Sequence, residues 1–298
     1  MNITRIFSDY ANRAAQLVIY QRAMKKIAQQ ELSELVEYSE IHKNHQDILD
    51  IPRSVNNMYF YAAKDGTARL YGHNVQSVED EKKAVILHKN KQYQWLLAEA
   101  YEAYEDFIEQ SYAYMAFINN ETWPLMDYGN INLRELKDKD FSYFLLQARN
   151  KKDKPHSMLK QLRKVFPQYE VLETQNKVNK DLKLIINMTE KFRHHIVHTS
   201  GKVLDKSKCI EDILKKTGVF NNGKYNTDIF DYINDFFGNE DLSNTIMLLE
   251  MQMNVGLPIC FEINRLETLS GSLITDAHIL FEEILSMEKE LGISADTL

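Results

Sequence analysis

Apolar positions along this chain recur mostly at steps of three and four. From residue 4 to residue 41, Ile6, Tyr10, Ala14, Leu17, Ala28, Leu32 and Leu35 fall on one face of a 3.6-residue repeat, which predicts a long amphipathic helix. The period then changes. MYFYAAK and TARLYGH alternate aromatic and small residues around Asp65-Gly66, which predicts a two-residue turn and a small β-hairpin near 58–73. A second long helix is predicted over 79–118, carrying Leu96, Leu97, Ala100, Tyr104, Phe107, Ile108, Tyr112 and Met115 and ended by Trp123-Pro124.

Shorter helices are predicted at 133–149 and 156–165, with Pro167 closing the second. A third long helix is predicted from Asn176 to His198, with Gly201 suited to the left-handed residue beyond its end. The last third reads as helices at 209–217 and 227–237, a loop at Asn221-Asn222-Gly223, and a long helix at 241–290 that breaks near Gly256-Leu257-Pro258. The expected class is all-α, a helical bundle with long helices and one hairpin insertion. Residues 1–78 would form an N-terminal helix plus hairpin and 79–298 a helical domain, packed as one compact unit.

Composition narrows the class. Ten Gly and five Pro in 298 residues argue against collagen-like and many-turn β architectures, and two Cys exclude a disulfide scaffold. No apolar run reaches the roughly 18–20 residues that span a bilayer, and the first residues lack the basic-then-apolar layout of a signal peptide. The expectation is a cytoplasmic protein without membrane contact. Cys209 and Cys260 form no CxxC pair and read as inert.

Charge changes the picture more. The net charge is −7, but residues 149–216 hold 17 Lys/Arg against 8 Asp/Glu, which leaves a balance of −16 elsewhere. A basic face on an acidic body suits phosphate, although Lys-rich stretches also serve as plain solvated helix faces.

Candidate chemistry concentrates in Glu190-Lys191-Phe192-Arg193-His194-His195-Ile196-Val197-His198. Three readings compete. In the first, His194 and His198, at i and i+4, hold a metal, with Glu190 one turn earlier and His42 and His45, at i and i+3 on another helix, as further ligands. HExxH and Glu-x-x-His are both missing from the chain, so the expectation is no metal and no cofactor. In the second, the histidines are structural residues beside a core stripe. In the third, they perform ribonuclease chemistry. RNA can be cut without metal when its 2′-OH attacks the adjacent phosphorus. Imidazole suits the proton transfers at both ends of that step. A guanidinium offers a planar fork of donors to the phosphorane oxygens.

The run Arg193 to His198, at the end of an amphipathic helix with Gly201 soon after, resembles the R-x4–6-H motif of the HEPN family (higher eukaryotes and prokaryotes nucleotide-binding). The earlier stretch LLAEAYEAYEDFIEQSYAYM resembles the aromatic-rich helix that precedes this motif in large HEPN proteins. The resemblance implies a HEPN-like bundle over about 80–290 and a metal-independent endoribonuclease leaving 2′,3′-cyclic phosphate and 5′-OH ends. It implies Arg193 and His198 as catalytic residues, His194 as the residue that orients or binds phosphate, and no role for His195 in the motif. The implied partners are RNA, a second copy forming a homodimer with a composite site, and an antitoxin or regulatory protein. The implied role is a toxin or anti-phage defence effector. On an unbroken helix Arg193 and His198 would stand about 140° apart. They would meet only if the helix unwound near His198 or if a second copy completed the site. A rival from another class is a non-catalytic HEPN-like bundle that binds a nucleotide or a partner protein.

Overall fold

The computed structural model describes residues 2–45, 48, 51–220, 226–253 and 261–293. The chain is mostly helical, with a small two-stranded antiparallel sheet in the first third. Helix α1 spans Ile3–Ile41 and α2 spans Val78–Ile118, as the apolar periodicity predicts. Between them, β1 (Ser54–Tyr61) pairs with β2 (Ala68–Gln76). The hairpin is longer than the alternating pattern suggests, and a bulge lies between Met58 and Tyr59. Its turn is also wider than two residues. Ala62 N–H donates to the Thr67 carbonyl, and Gly66 takes a φ of 67° behind Asp65. The Asp65 carboxylate accepts from the backbone and the hydroxyl of Thr67, which anchors the loop.

The chain divides into two compact units, Ile19–Tyr93 and Met1–Val18 with Gln94–Leu298. The division runs through both long helices rather than falling at residue 78. In the smaller unit, Ala28, Leu35, Ala62 and Val78 are buried. Arg53 reaches Glu81 at 2.6 Å and lies 5.2 Å from the Tyr38 ring. The hairpin's Tyr59, Tyr61, Leu70 and Tyr71 stay exposed.

The larger unit carries the rest of the chain. After α2 come α3 (Phe141–Asn150), α4 (His156–Val165), α5 (Pro167–Leu172), α6 (Leu182–Thr199), α7 (Lys206–Thr217) and α8 (Thr227–Asn234). Strands β3 (Glu250–Met253) and β4 (Phe261–Asn264) pair antiparallel, and α9 (Arg265–Glu290) closes the fold. Several boundaries differ from the periodicity for local reasons. Leu133–Asp138 is a separate 3₁₀ turn, because the Asp140 side chain accepts from Tyr143 N–H and starts α3 there. Pro167 opens α5 at its first turn, where its missing N–H costs nothing. Helix α6 begins at Leu182 rather than Asn176. The Asn176 amide bonds the carbonyls of Leu172 and Lys180 and so closes a loop before the helix. The helix expected over 241–290 survives only as α9, capped by Asn264, and its first part contains the strands β3 and β4. The expected loop at 221–223 and break at 256–258 lie outside the described residues.

The core of this unit is an aromatic face of α2. Tyr104, Phe107, Ile108, Tyr112 and Tyr114 are fully buried, against Trp123, Phe144, Leu162, Tyr169 and Leu280. Each such side chain contributes about 1.5–3 kcal/mol of burial. The hydroxyls of Tyr104, Tyr114 and Tyr169 are satisfied in this packing. Tyr104 and Tyr169 both donate to Asp276 of α9, at 2.5 and 3.0 Å, and Tyr114 donates to Glu288 at 2.5 Å. Burial, with Glu173 nearby, pushes the Asp276 carboxyl well above the usual carboxylate range. Arg163 of α4 grips the fully buried Glu173 through two bonds, of 2.5 and 2.7 Å.

That bidentate pair gives a stability test. Arg163→Met leaves the Glu173 carboxylate buried without its partner, a loss of about 3–5 kcal/mol. Adding Glu173→Leu should recover most of it. Urea unfolding of the single and double variants checks this. Equal stability of the two would show that the pair does not hold α4 to α5.

Candidate functional site

Helix α6 carries the histidine cluster, and its placement follows from its sequence. The Asp181 side chain accepts from Leu184 N–H at 2.8 Å, and Leu182 N–H donates to the Glu173 carbonyl. Leu182, Ile185, Ile186, Met188, Phe192 and Ile196 are buried where α6 packs on α9 and α7. Phe192 meets the rings of Phe236 and Phe237, both at 5.8 Å.

The helix does not unwind at His198. It runs to Thr199, and the chain then turns through Ser200 and Gly201, with φ of 56° and 79°. The His195 carbonyl accepts from Gly201 N–H and from the Thr199 hydroxyl, each at 2.9 Å. A glycine is required at 201. Besides the positive φ, a Cβ there would lie 2.3 Å from Nε2 of Gln94, which is buried and donates to the Ile246 carbonyl. Beyond the turn, Val203 N–H donates to the Asn244 carbonyl, and Ile246 N–H to the Gly201 carbonyl.

With α6 regular, Arg193 and His198 project about 140° apart. The outward face pairs His194 with His198, whose ring centroids are 4.7 Å apart, and both side chains are exposed. Partial burial and the neighbouring His198, Lys191 and Arg193 lower the His194 pKa. Arg193 turns instead toward α2. Its Nη2 donates to Glu102 at 3.0 Å, while its buried Nε has no hydrogen-bond partner. His195 faces a different depression, shared with Thr199, Lys202 and Cys209. Both of its ring nitrogens are buried without a partner, and burial lowers its pKa. Burial raises the Cys209 thiol to about 11, which suits an inert residue. Cys260 lies outside the described residues.

Glu190, one turn before His194, is held by Lys216 at 2.6 and 2.7 Å. His42 and His45 belong to the other compact unit and lie past the end of α1 at Ile41, not on a helix. Among the described residues, no three His, Cys, Asp or Glu side chains are grouped to hold a metal ion.

A cleft of about 370 Å³ opens beside Arg193, between α2, α6 and α7, lined among others by Tyr101, Glu105, Lys154, Asn187, His194 and Lys216. Sequence reasoning missed Tyr101 and Glu105. The Tyr101 hydroxyl is buried and has no partner. Glu105 makes no hydrogen bond or ion pair with another described residue. Burial raises its carboxyl to about 7, Arg193 pulls it down, and Glu190, Glu109 and Glu102 push it up. A signal was available, since Glu102, Glu105 and Glu109 recur at helical spacing inside an aromatic stretch that otherwise reads as core.

Among protein-family models, curated proteins and solved structures, none matches this chain. The functional reading rests on the geometry and the residues themselves. Among the described residues no helix is long and apolar enough to cross a membrane.

Glu105 sets a pH dependence. Its carboxyl sits above the unfolded value of about 4.3, so the folded state prefers the protonated group. That preference is fully present below about pH 4 and is lost as pH rises through about 7. Glu105→Gln should therefore gain thermal stability relative to the wild type between pH 5 and pH 8. A difference in melting midpoint that stays constant across this range would place the carboxyl at an ordinary value.

Proposed function

We propose that this protein is a metal-independent endoribonuclease of HEPN type. Arg193 and His198 carry out the chemistry, and His194 binds or orients the scissile phosphate. The observation that carries the reading is the pair of imidazoles of His194 and His198, 4.7 Å apart on an exposed face of the helix that also carries Arg193. The RNA 2′-OH attacks the adjacent phosphorus, and the bond to the 5′-oxygen breaks. One imidazole takes the 2′-OH proton and another protonates the departing 5′-oxygen, which leaves a 2′,3′-cyclic phosphate and a 5′-OH. The guanidinium of Arg193 stabilises charge on the phosphorane oxygens.

Because α6 is regular, Arg193 and His198 of one chain diverge. In this reading a twofold-related copy brings the second set of residues to the phosphate, in a homodimer with a composite site. The partners are RNA and an antitoxin or regulatory protein. The setting is the cytoplasm, and the role is that of a toxin or anti-phage defence effector.

One observation favours a second reading. The ion pair of Arg193 with Glu102 and the divergence from His198 also fit a non-catalytic bundle that binds a nucleotide or a partner through the basic segment.

The two readings separate on purified protein incubated with total RNA in EDTA, with the ends of any fragments identified. The first expects cyclic phosphate and 5′-OH ends; intact RNA supports the second. His198→Ala should lower the rate about 10²–10⁴-fold. Arg193→Ala should lower it about 10²–10³-fold. Arg193→Lys should restore it only in part, since an ammonium lacks the planar fork. His195→Ala should do far less. Equal losses in all three alanine variants, each tracking a lowered melting midpoint, would mean that the cluster is structural.

Assembly is a separate expectation. Sedimentation should find a dimer under assay conditions. Full activity from a strictly monomeric chain would rule out the composite site.

A further inference from the structure

The cleft beside Arg193 contains polar groups that neither the fold nor the proposed cleavage uses. Tyr101 is 1% exposed, and its hydroxyl has no partner among the described residues. In a protein interior such a group normally finds a hydrogen bond, and leaving it without one costs about 1–3 kcal/mol. Every other tyrosine of the aromatic core discussed above (Tyr104, Tyr112, Tyr114, Tyr169) donates to a carboxylate. Glu105, one turn along α2 from Tyr101, lines the same cleft, and among the described residues none donates a hydrogen bond to its carboxylate, Arg193 acting on it through its charge. The other acidic groups here are occupied, Glu190 by Lys216, Asp212 by Lys191 and Glu102 by Arg193. The cleft thus pairs one free hydroxyl with one free carboxyl. Its volume of about 370 Å³ falls in the range of small-ligand pockets, about 300–1,000 Å³.

The bases of RNA differ in what they present to such a pair. Sequence-specific recognition of single-stranded RNA reads the Watson–Crick edges of unstacked bases. A carboxylate only accepts, and it accepts best from two adjacent N–H donors. Guanine has that arrangement, N1–H beside N2–H2, followed by the O6 acceptor, which a tyrosine hydroxyl can serve. Adenine and cytosine place a ring acceptor next to the amino group, and uracil has a single N–H between two carbonyls. Each of those edges sets an acceptor against the carboxylate. We propose that the cleft is a guanine subsite, in which Glu105 accepts from N1–H and N2–H2 and Tyr101 donates to O6. It rests on the ribonuclease reading only in that the guanine belongs to the RNA substrate. The subsite adjoins His194 and Arg193, so the phosphate next to that guanosine is the one delivered to the α6 face.

The test is equilibrium binding of GMP, AMP, CMP and UMP to the full chain at pH 8, by calorimetry. None of these has a phosphodiester to cut, so binding is read apart from cleavage. GMP should bind at least about tenfold tighter than the other three, the discrimination expected of one bidentate base contact. Glu105→Gln replaces one acceptor with a donor and should weaken GMP about tenfold or more while keeping a cooperative melting transition. Tyr101→Phe, which removes only the hydroxyl, should weaken GMP severalfold and provides the test if the first variant fails to fold. Equal affinities for the four nucleotides, no saturable GMP binding at millimolar concentration, or GMP binding unchanged in both folded variants overturns the proposal. Selective GMP binding by a chain that leaves RNA intact would keep the subsite and remove the ribonuclease. Cleavage with no GMP preference would do the reverse.

Discussion

A buried tyrosine needs an acceptor for its hydroxyl, and α2 buries several. Its aromatic face is a large part of the core of the larger unit, so the position of α9 is constrained by hydrogen bonding as well as by packing. Asp276 must sit where it receives Tyr104 and Tyr169, and Glu288 where it receives Tyr114. An acidic group is a costly acceptor in that setting, as the raised Asp276 carboxyl records. The arrangement in return specifies one register of α9 on α2, because a shift of one residue would strand hydroxyls and carboxylates together. Glu173, gripped by Arg163, extends the same polar layer, and its backbone carbonyl receives the first N–H of α6. The histidine cluster is therefore anchored at its helix N-terminus to the layer that organises the core.

The far end of α6 is fixed by different means. Ser200 and Gly201 reverse the chain, the His195 carbonyl collects the end of the helix, and residues 201–203 hydrogen-bond to 244–246. A helix held this firmly at both ends keeps its angular order. His194 and His198 are thereby made neighbours, and Arg193 is sent to the other side, toward α2 and the cleft. The same regularity that places two imidazoles together makes a second chain necessary to bring an arginine and a histidine to one phosphate in the proposed reaction.

The cleft follows from the aromatic face as well. Tyr101 lies on the buried side of α2 but beyond the reach of the α9 carboxylates, and its hydroxyl is left over. Glu105, one turn on, shares the opening. The groups proposed to read a base are thus residues of the core helix that its polar partners do not reach.

The long helices and the hairpin were legible in the sequence because their signals are local. A 3.6-residue apolar period over some forty residues, or a strict alternation around Asp-Gly, leaves few other solutions. The Arg193–His198 cluster was legible for the same reason, being contiguous. Local capping corrected the shorter elements: Asn176 closes a loop that the apolar pattern of 176–198 alone reads as helix, and Asn264 starts α9 well inside the apolar run of 241–290. Tertiary structure alone decided the rest. Nothing local distinguishes Glu105 from Glu102 or Glu109, or Tyr101 from Tyr104. Their different fates depend on which neighbours in α3, the loop after it, α6 and α9 arrive with a charge or an acceptor. Partnering of this kind is a property of side chains far apart in sequence, and one chain read along its length carries no signal for it.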